Sequence, residues 1–260
     1  MDNLPPLSIV MPCLNEEETL AAAIQDALQA VHEKGVEGEV IVVNDGSTDN
    51  SQEIAEEIAL SNLRVRILNK KKREGIGKAF WDGLAMATYP FVVMIPGDNE
   101  NKVSEVLLNY HLAHQVDIVV PFIHNSEVRD TRRRFISSIY RLIINISFGT
   151  NLNYTNGTVV YNTLALRSIK LHSTGFFYQT ELLVKLVRRG FLYAEVPQLL
   201  GTRRGGKSTA LTLRSLCNLV WSFIRLLVDI HVLRIEGTRL ELNSLPVGTN
   251  TRRRCLALKQ

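Results

Sequence analysis

The stretch VVMIPGDNENK, Val92 to Lys102, sets a β-branched apolar run directly against Pro96, Gly97, Asp98, Asn99 and Glu100. A short apolar run closed by Pro and Gly reads as a buried strand ending in a turn. Two carboxylates in such a turn can hold a divalent cation, because hard cations take oxygen ligands from a rigid edge. A merely acidic turn looks the same, so the rest of the chain must decide. Four further runs share the strand character: LSIVMP (Leu7 to Pro12), EVIVV (Glu39 to Val43), RVRIL (Arg64 to Leu68) and DIVVP (Asp117 to Pro121). Between them, helical patterns occupy about residues 16 to 34, 50 to 60, 77 to 88 and 103 to 114. Strands buried on both faces and alternating with helices predict an α/β fold with a mostly parallel central sheet flanked by helices.

In such sheets ligands bind where strands end. The loops concerned are PCLNEEETL, NDGSTDNS, NKKKREGIGKAF and PGDNEN, and the pattern predicts that all four crowd one edge. That edge would carry Asn15, Glu16, Asp45, Asp49, Asp98 and Glu100, with Arg73 and Lys78 as counter-charges. Pro12 is expected to stop the first strand. Ser47, Thr48 and Asp49 read as capping residues of the helix that follows them.

With 260 residues and 45% hydrophobic content, the chain is long enough for one large domain, or one domain with an appendage. Cys13, Cys217 and Cys255 have no metal-ligand spacing, and the N-terminus does not resemble a signal peptide, which points to a reducing, cytosol-facing protein. The net charge of +4 is modest, but RDTRRRF, GTRRGGKST and TRRRC concentrate basic residues in the second half, where they suit phosphate groups. No basic stripe is interleaved with aromatics, which argues against nucleic acid. No apolar run reaches the ~18 residues of a spanning helix.

The second half is less regular. Arg134 to Phe148 and Thr212 to Arg234 are amphipathic helices, the latter with a polar stripe at Arg214, Asn218, Ser222, Arg225 and Asp229. They either pack on the protein's own core or lie in a membrane interface, with Trp221, Phe223 and flanking arginines as anchors. Beyond about Glu236 the periodicity is lost, and a loosely held basic tail is expected over 236 to 260, after a main domain over 1 to 210 and a helix over 211 to 235.

Taken in order, IVMPCLNEEETL, VIVVNDGSTDNS, GIGKAFWDGL, PGDNE, FFYQTELLVKLVRRG and EVPQLLGTRRGGKST resemble family 2 glycosyltransferases, within them the polyprenyl-phosphate sugar transferases. The resemblance spans roughly residues 5 to 233 and implies a GT-A type domain. It implies a nucleotide-sugar donor held by Pro12, Leu14, Glu16, Asp45, Lys78 and Asp98. Metal ligation of Mg or Mn against the diphosphate would fall to Asp98 and Glu100. The family pattern there is Asp-x-Asp with Gln two residues on; here Pro96 replaces the first Asp and Glu100 the Gln. Asn153 replaces an Asp in NYTNGT. Arg203 and Ser208 in GTRRGGKST, and Arg133 and Ser137 in RRFIS, match residues that hold an acceptor phosphate or close over the donor.

The reaction so implied is inverting transfer of a sugar to a polyprenyl phosphate. A metal at Asp98 and Glu100, with Lys78 and Arg203, would stabilise the leaving diphosphate. A lipid phosphate is already an anion and needs no base, whereas a sugar hydroxyl needs one, and Glu181 is the matched carboxylate. The alternatives are a saccharide or other soluble acceptor, or a catalytically impaired nucleotide-sugar binding subunit. A glycine- and arginine-rich phosphate loop after the first strand, which a nucleotidyltransferase needs, is absent. Many relatives append spanning helices; their absence here predicts peripheral association with the cytoplasmic face of a membrane, or a separate membrane-protein partner.

Overall fold

The computed structural model describes residues 3–125, 131–198, 213–234 and 238–259; at 132, 133 and 213–215 the description covers backbone only. The chain divides into two compact units, Met1–His114 with Thr158–Thr163, and Gln115–Gly157 with Leu164–Gln260.

The first unit holds β1 (Leu7–Cys13), β2 (Gly38–Asn44), β3 (Val65–Asn69), β4 (Phe91–Met94) and β6 (Val160–Asn162), hydrogen-bonded in the order β3-β2-β1-β4-β6. All pairs are parallel except β4 with β6. Every residue of β1, β2 and β4 is buried, as expected of strands covered on both faces. The covering helices are α1 (Leu20–Glu33), α2 (Ser51–Ser61), α3 (Ile76–Met86) and α4 (Val103–Leu107). The helix expected over 103 to 114 breaks after Leu107 and resumes as a 3₁₀ turn, Tyr110–His114. Gly83 shows how close α3 lies to the sheet, since a Cβ there would stand 2.4 Å from Val10 Cγ1.

Pro12 does not stop β1, which runs through Cys13. The Pro12 carbonyl accepts from Gly97 N–H at 3.0 Å, and the missing proline N–H falls just past the last residue of β4 paired with β1, Met94. The strand therefore continues through a position that accepts but supplies no donor of its own. At the opposite edge the buried Glu39 takes hydrogen bonds from Ser8 Oγ (2.7 Å), Thr88 N–H (2.7 Å) and Thr88 Oγ (2.7 Å), and pairs with Arg66. Burial would push its carboxyl up, but these donors outweigh it and hold it below the ordinary range.

The second unit holds β5 (Ile118–Ile123) parallel to β7 (Tyr193–Gln198), with α5 (Thr131–Phe148), α6 (Thr163–Arg167, its first residue excepted), α7 (Tyr178–Arg188), α8 (Leu213–Leu227) and α9 (Asn250–Ala257). β6 and β7 were not foreseen: β6 is three residues long, and YAEVPQ in β7 has no apolar run. Ile144 and Phe148 of α5 pack with Phe177, with Val184 of α7, and with Leu226 and Ile230 at the end of α8, where the helix widens into a π-turn over Val228–Val232. Among the described residues no helix is long and apolar enough to cross a membrane.

The basic tail is not loose over residues 238–259. The carboxylate of fully buried Asp117 accepts from Asn250 N–H (2.7 Å), Thr251 N–H (2.9 Å) and the Thr251 hydroxyl, so it satisfies the free donors at the start of α9. Asn250 Nδ2 also donates to Val116 O at 2.7 Å. Asp117 lies 134 residues before Thr251, so no local pattern announces the cap. Asp117→Ala strands these buried donors. It should cost about 3 kcal/mol of stability in urea unfolding and make the chain after Thr249 cleavable by limited proteolysis.

Candidate functional site

In the first unit the loops after β1, β2, β3 and β4 begin side by side. Asp45 N–H donates to Cys13 O (3.0 Å), Lys70 N–H to Asn44 O (3.0 Å) and Gly97 N–H to Pro12 O (3.0 Å), so the ladders continue one step past the strands. Side chains then tie loop to loop. Asn15, held at φ 57°, accepts from Thr48 N–H at 2.8 Å, while Ser47 Oγ accepts from Asn15 N–H at 3.0 Å. Ser51 Oγ accepts from Glu16 N–H (2.8 Å), Asp49 from Glu17 N–H (3.1 Å), and Glu17 from Asn50 N–H (3.0 Å). Ser47 and Asp49 therefore hold the neighbouring loop; Asp49 also accepts from Ser51 N–H (3.0 Å) at the start of α2, as expected of a capping residue, while the Asn50 side chain makes no capping bond.

Asp45 is buried, and both its oxygens are engaged. They accept from Glu74 N–H (2.9 Å) and Gly75 N–H (2.8 Å), with Lys70 Nζ at 3.4 Å. This fastens the glycine loop before α3 to the end of β2. Gly46 (φ 79°) makes the approach possible, since a Cβ there would lie 2.8 Å from Arg73 N. Lys70 is the cation that reading the sequence missed. It pairs with Glu74 (2.7 Å) and Asp82 (3.0 Å) as well as Asp45, and nothing distinguished it within the run NKKKR. Lys78, expected at a diphosphate, is bonded to Asp82 one turn along α3.

The acidic turn is anchored through Thr19, whose hydroxyl donates to Gly97 O at 2.9 Å and lies 3.1 Å from Glu16 Oε2. Asp98 Oδ1 accepts from Glu100 N–H at 3.0 Å. Burial pushes the Glu16 carboxyl up; a hydrogen bond from Thr19 opposes this, and the negative charges of Asp98, Asp49 and Glu100 add to it. Beside them the Cys13 thiol is pushed up to about 12, by burial first and then by Glu16 and Asp49. The edge is thus a concentration of negative charge, which a cation relieves. Among the described residues no group of three or more His, Cys, Asp or Glu side chains could hold a metal by itself. Two carboxylates such as Asp98 and Glu100 would leave most of a divalent cation's oxygen positions to phosphate and water.

In the second unit, Asn153 is matched to Glu195, which accepts from its N–H (2.6 Å) and its Nδ2 (2.8 Å). An Asp at 153 would set two carboxylates against each other, which gives a physical reason for the amide. Glu181 is almost fully buried. Its oxygens accept from His172 N–H (2.9 Å), Ser173 N–H (2.8 Å) and the ammonium of fully buried Lys185 (2.7 Å). Burial would raise its carboxyl, but Lys185 and the N–H donors prevail and hold it low. His172 Nδ1 lies 3.1 Å from buried Asp229 in the π-turn. Ser137 is partly buried on α5; the Arg133 side chain, Arg203 and Ser208 lie outside the described residues.

Residues 8–176 match the Glycosyl transferase family 2 domain, well over half of the chain. The undecaprenyl-phosphate 4-deoxy-4-formamido-L-arabinose transferase of Pseudomonas fluorescens (strain SBW25) is 29% identical over 198 residues, 70% of this chain and 58% of that protein. A dolichyl-phosphate beta-glucosyltransferase of Trichomonas vaginalis is 29% identical over 103 residues, 38% of this chain and 31% of that one. The chain thus spans less than two thirds of the length of these relatives. Among solved structures, glucosyl-3-phosphoglycerate synthase from Mycobacterium tuberculosis, in complex with Mn2+, UDP-glucose and phosphoglyceric acid, matches with a TM-score of 0.64. It is 23% identical, and the match covers 86% of this chain and 79% of that one. That likeness establishes the fold, a GT-A-like α/β architecture. The matched residues carry the strand-end loops, the acidic turn and the sheet behind them, and this chain belongs to glycosyl transferase family 2.

Proposed function

We propose that the chain is an inverting glycosyltransferase that moves a sugar from a nucleoside-diphosphate donor to a polyprenyl phosphate. The observation that carries this reading is the locked edge of the first unit, where four loops bonded to one another present Glu16, Asp98 and Glu100 together. The relatives named for dolichyl- and undecaprenyl-phosphate support the acceptor.

In this reading Pro12, Leu14 and Glu16 border the base and ribose. Asp45 contributes by fixing the glycine loop through Glu74 and Gly75 N–H, and its remaining lone pairs face the base. Lys78, turned from Asp82, meets the diphosphate. Asp98 and Glu100 would hold Mg or Mn, and such an ion supplies charge neutralisation where the leaving diphosphate gains charge. Arg203 and Ser208, with Arg133 and Ser137, are assigned to the acceptor phosphate, which an arginine fork binds through two oxygens at once.

Glu181 is the carboxylate best matched to a base role, and its oxygens already serve two N–H groups and an ammonium. A lipid phosphate attacks as an anion and needs no such base, so this engagement favours it over a hydroxyl. Glu181 then acts as a positioning residue that holds His172 and Ser173 to α7.

Incubating the chain and Mn or Mg with radiolabelled nucleotide sugars and polyprenyl phosphate should put label in the organic phase, and chelation should abolish it. Asp98→Asn should lower this transfer about a hundredfold or more with the circular dichroism spectrum unchanged. Water-soluble product alone would instead identify a soluble acceptor, and nucleotide binding without turnover a binding subunit.

Glu181→Gln should leave transfer to a lipid phosphate within a few-fold of native. Lys185→Met, which leaves the buried carboxylate unpaired, should cost about 3–5 kcal/mol in urea unfolding. The folded Glu181 carboxyl lies below its unfolded value of about 4.3, so its stabilisation is complete above that pH and is lost as pH falls through the folded value. The double variant Glu181→Leu, Lys185→Met should accordingly lose less stability than the native chain on acidification.

A further inference from the structure

Helices α5 and α8 of the second unit use only part of their apolar surface to pack. On α5, Tyr140, Ile144 and Phe148 turn to the core, while Phe135, Ile139, Leu142 and Ile146 form an i, i+3/i+4 stripe that faces solvent. Phe135 is 67% exposed and Ile146 74%. On α8, Leu219, Phe223 and Leu226 face inward, while Val220, Ile224 and Val228 run along the open side next to Trp221, which is 69% exposed. The two helices meet at their carboxyl ends, where Phe148 packs edge-on against Phe223 and His231 Nε2 lies 2.7 Å from Ser147 O. Exposed stripes of this size on adjacent helices mark a docking surface.

The charge around the stripes selects the occupant. Residues 131–148 contain four arginines and no acid, and residues 213–234 three arginines and one acid, Asp229, which is buried against His172. Arg134, Arg141, Arg225 and Arg234 are exposed. A second copy of this face would set arginine against arginine, whereas a bilayer rich in anionic headgroups meets the apolar stripes with acyl chains and the arginines with phosphates.

We infer that the exposed faces of α5 and α8 dock the chain on an anionic lipid surface, as a two-helix platform lying in the interface. The choice of a lipid over an acidic protein rests on the proposed lipid-phosphate acceptor. The stripes and their charge stand independently of it. Asp229 contributes by pairing with His172, which keeps the one acidic side chain of α8 and its π-turn away from the headgroups.

The test is sedimentation of the full chain with vesicles of phosphatidylcholine alone or mixed with phosphatidylglycerol, with no donor and no polyprenyl phosphate. The chain should sediment with the anionic vesicles, much less with the neutral ones, and less as salt is raised. The triple variant Ile139→Ser, Trp221→Ser, Ile224→Ser should partition at least about tenfold more weakly with an unchanged thermal melt, because these side chains face solvent. Should the triple variant fail to fold, Trp221→Ser and Arg225→Glu singly must each weaken binding. Wild-type chain left in the supernatant, variants that sediment like wild type, or a dimer that the same substitutions dissociate would each overturn the inference. Loss of vesicle binding counts against this surface alone, and loss of transfer with vesicle binding intact counts against the lipid acceptor alone.

Discussion

The candidate site depends on three backbone hydrogen bonds made just beyond the strands, from Asp45 to Cys13, Lys70 to Asn44 and Gly97 to Pro12. They follow from parallel pairing. Strands that run the same way, in register from Leu7 opposite Gly38 and Phe91, must end at one level, and their loops leave toward one side. Once the loops start together, short polar side chains can bridge them, as Asn15 does to Thr48 and Thr19 to Gly97. The acidic turn belongs to a site because of this shared edge; its own sequence would serve equally well as a turn.

The same edge sets the electrostatics. Asp45 is neutralised by Lys70 and two N–H groups, so it contributes order more than free charge. Glu16 differs: burial pushes its carboxyl up, and the charges of Asp98, Asp49 and Glu100 add to that. Substituting Pro96 for an acid reduces that repulsion. In the second unit Asn153 does the same, since its amide meets Glu195 where an acid would be repelled. Of the three departures from the family pattern, Pro96 and Asn153 thus remove a charge beside other acids, while Glu100 adds one.

The second unit solves a different problem. Lys185 and Glu181 are charges buried among Leu182, Leu183 and Leu186, tolerable because each saturates the other and the backbone around it. From this pair the chain of contacts runs through His172 to Asp229 in the π-turn, so the segment that begins α7 and the end of α8 are fixed by one polar network. The apolar surface of α5 and α8 exceeds what that core can cover, and the remainder faces outward with arginines around it.

The sequence by itself determined the parallel α/β half of the fold. Runs such as LSIVMP and VVMI can satisfy their backbone and bury their β-branched side chains in few other ways, and the five strands expected from them are present. It also determined which loops matter, because loop position follows from strand direction. It could not determine what each polar side chain does there. Ser47, Asp49 and Asp117 look like local turn or strand-end residues, and Asp49 does cap Ser51, yet they also reach Asn15, Glu17 and Asn250, and hydrogen bonds across such separations leave no periodic trace. Strands β6 and β7 and helix α9 were illegible for the same reason. A three-residue strand, a strand with little apolar alternation and a basic helix are stabilised by the neighbours they meet. Only the tertiary structure supplies those neighbours, because burying a polar group requires a partner that the chain brings from far away.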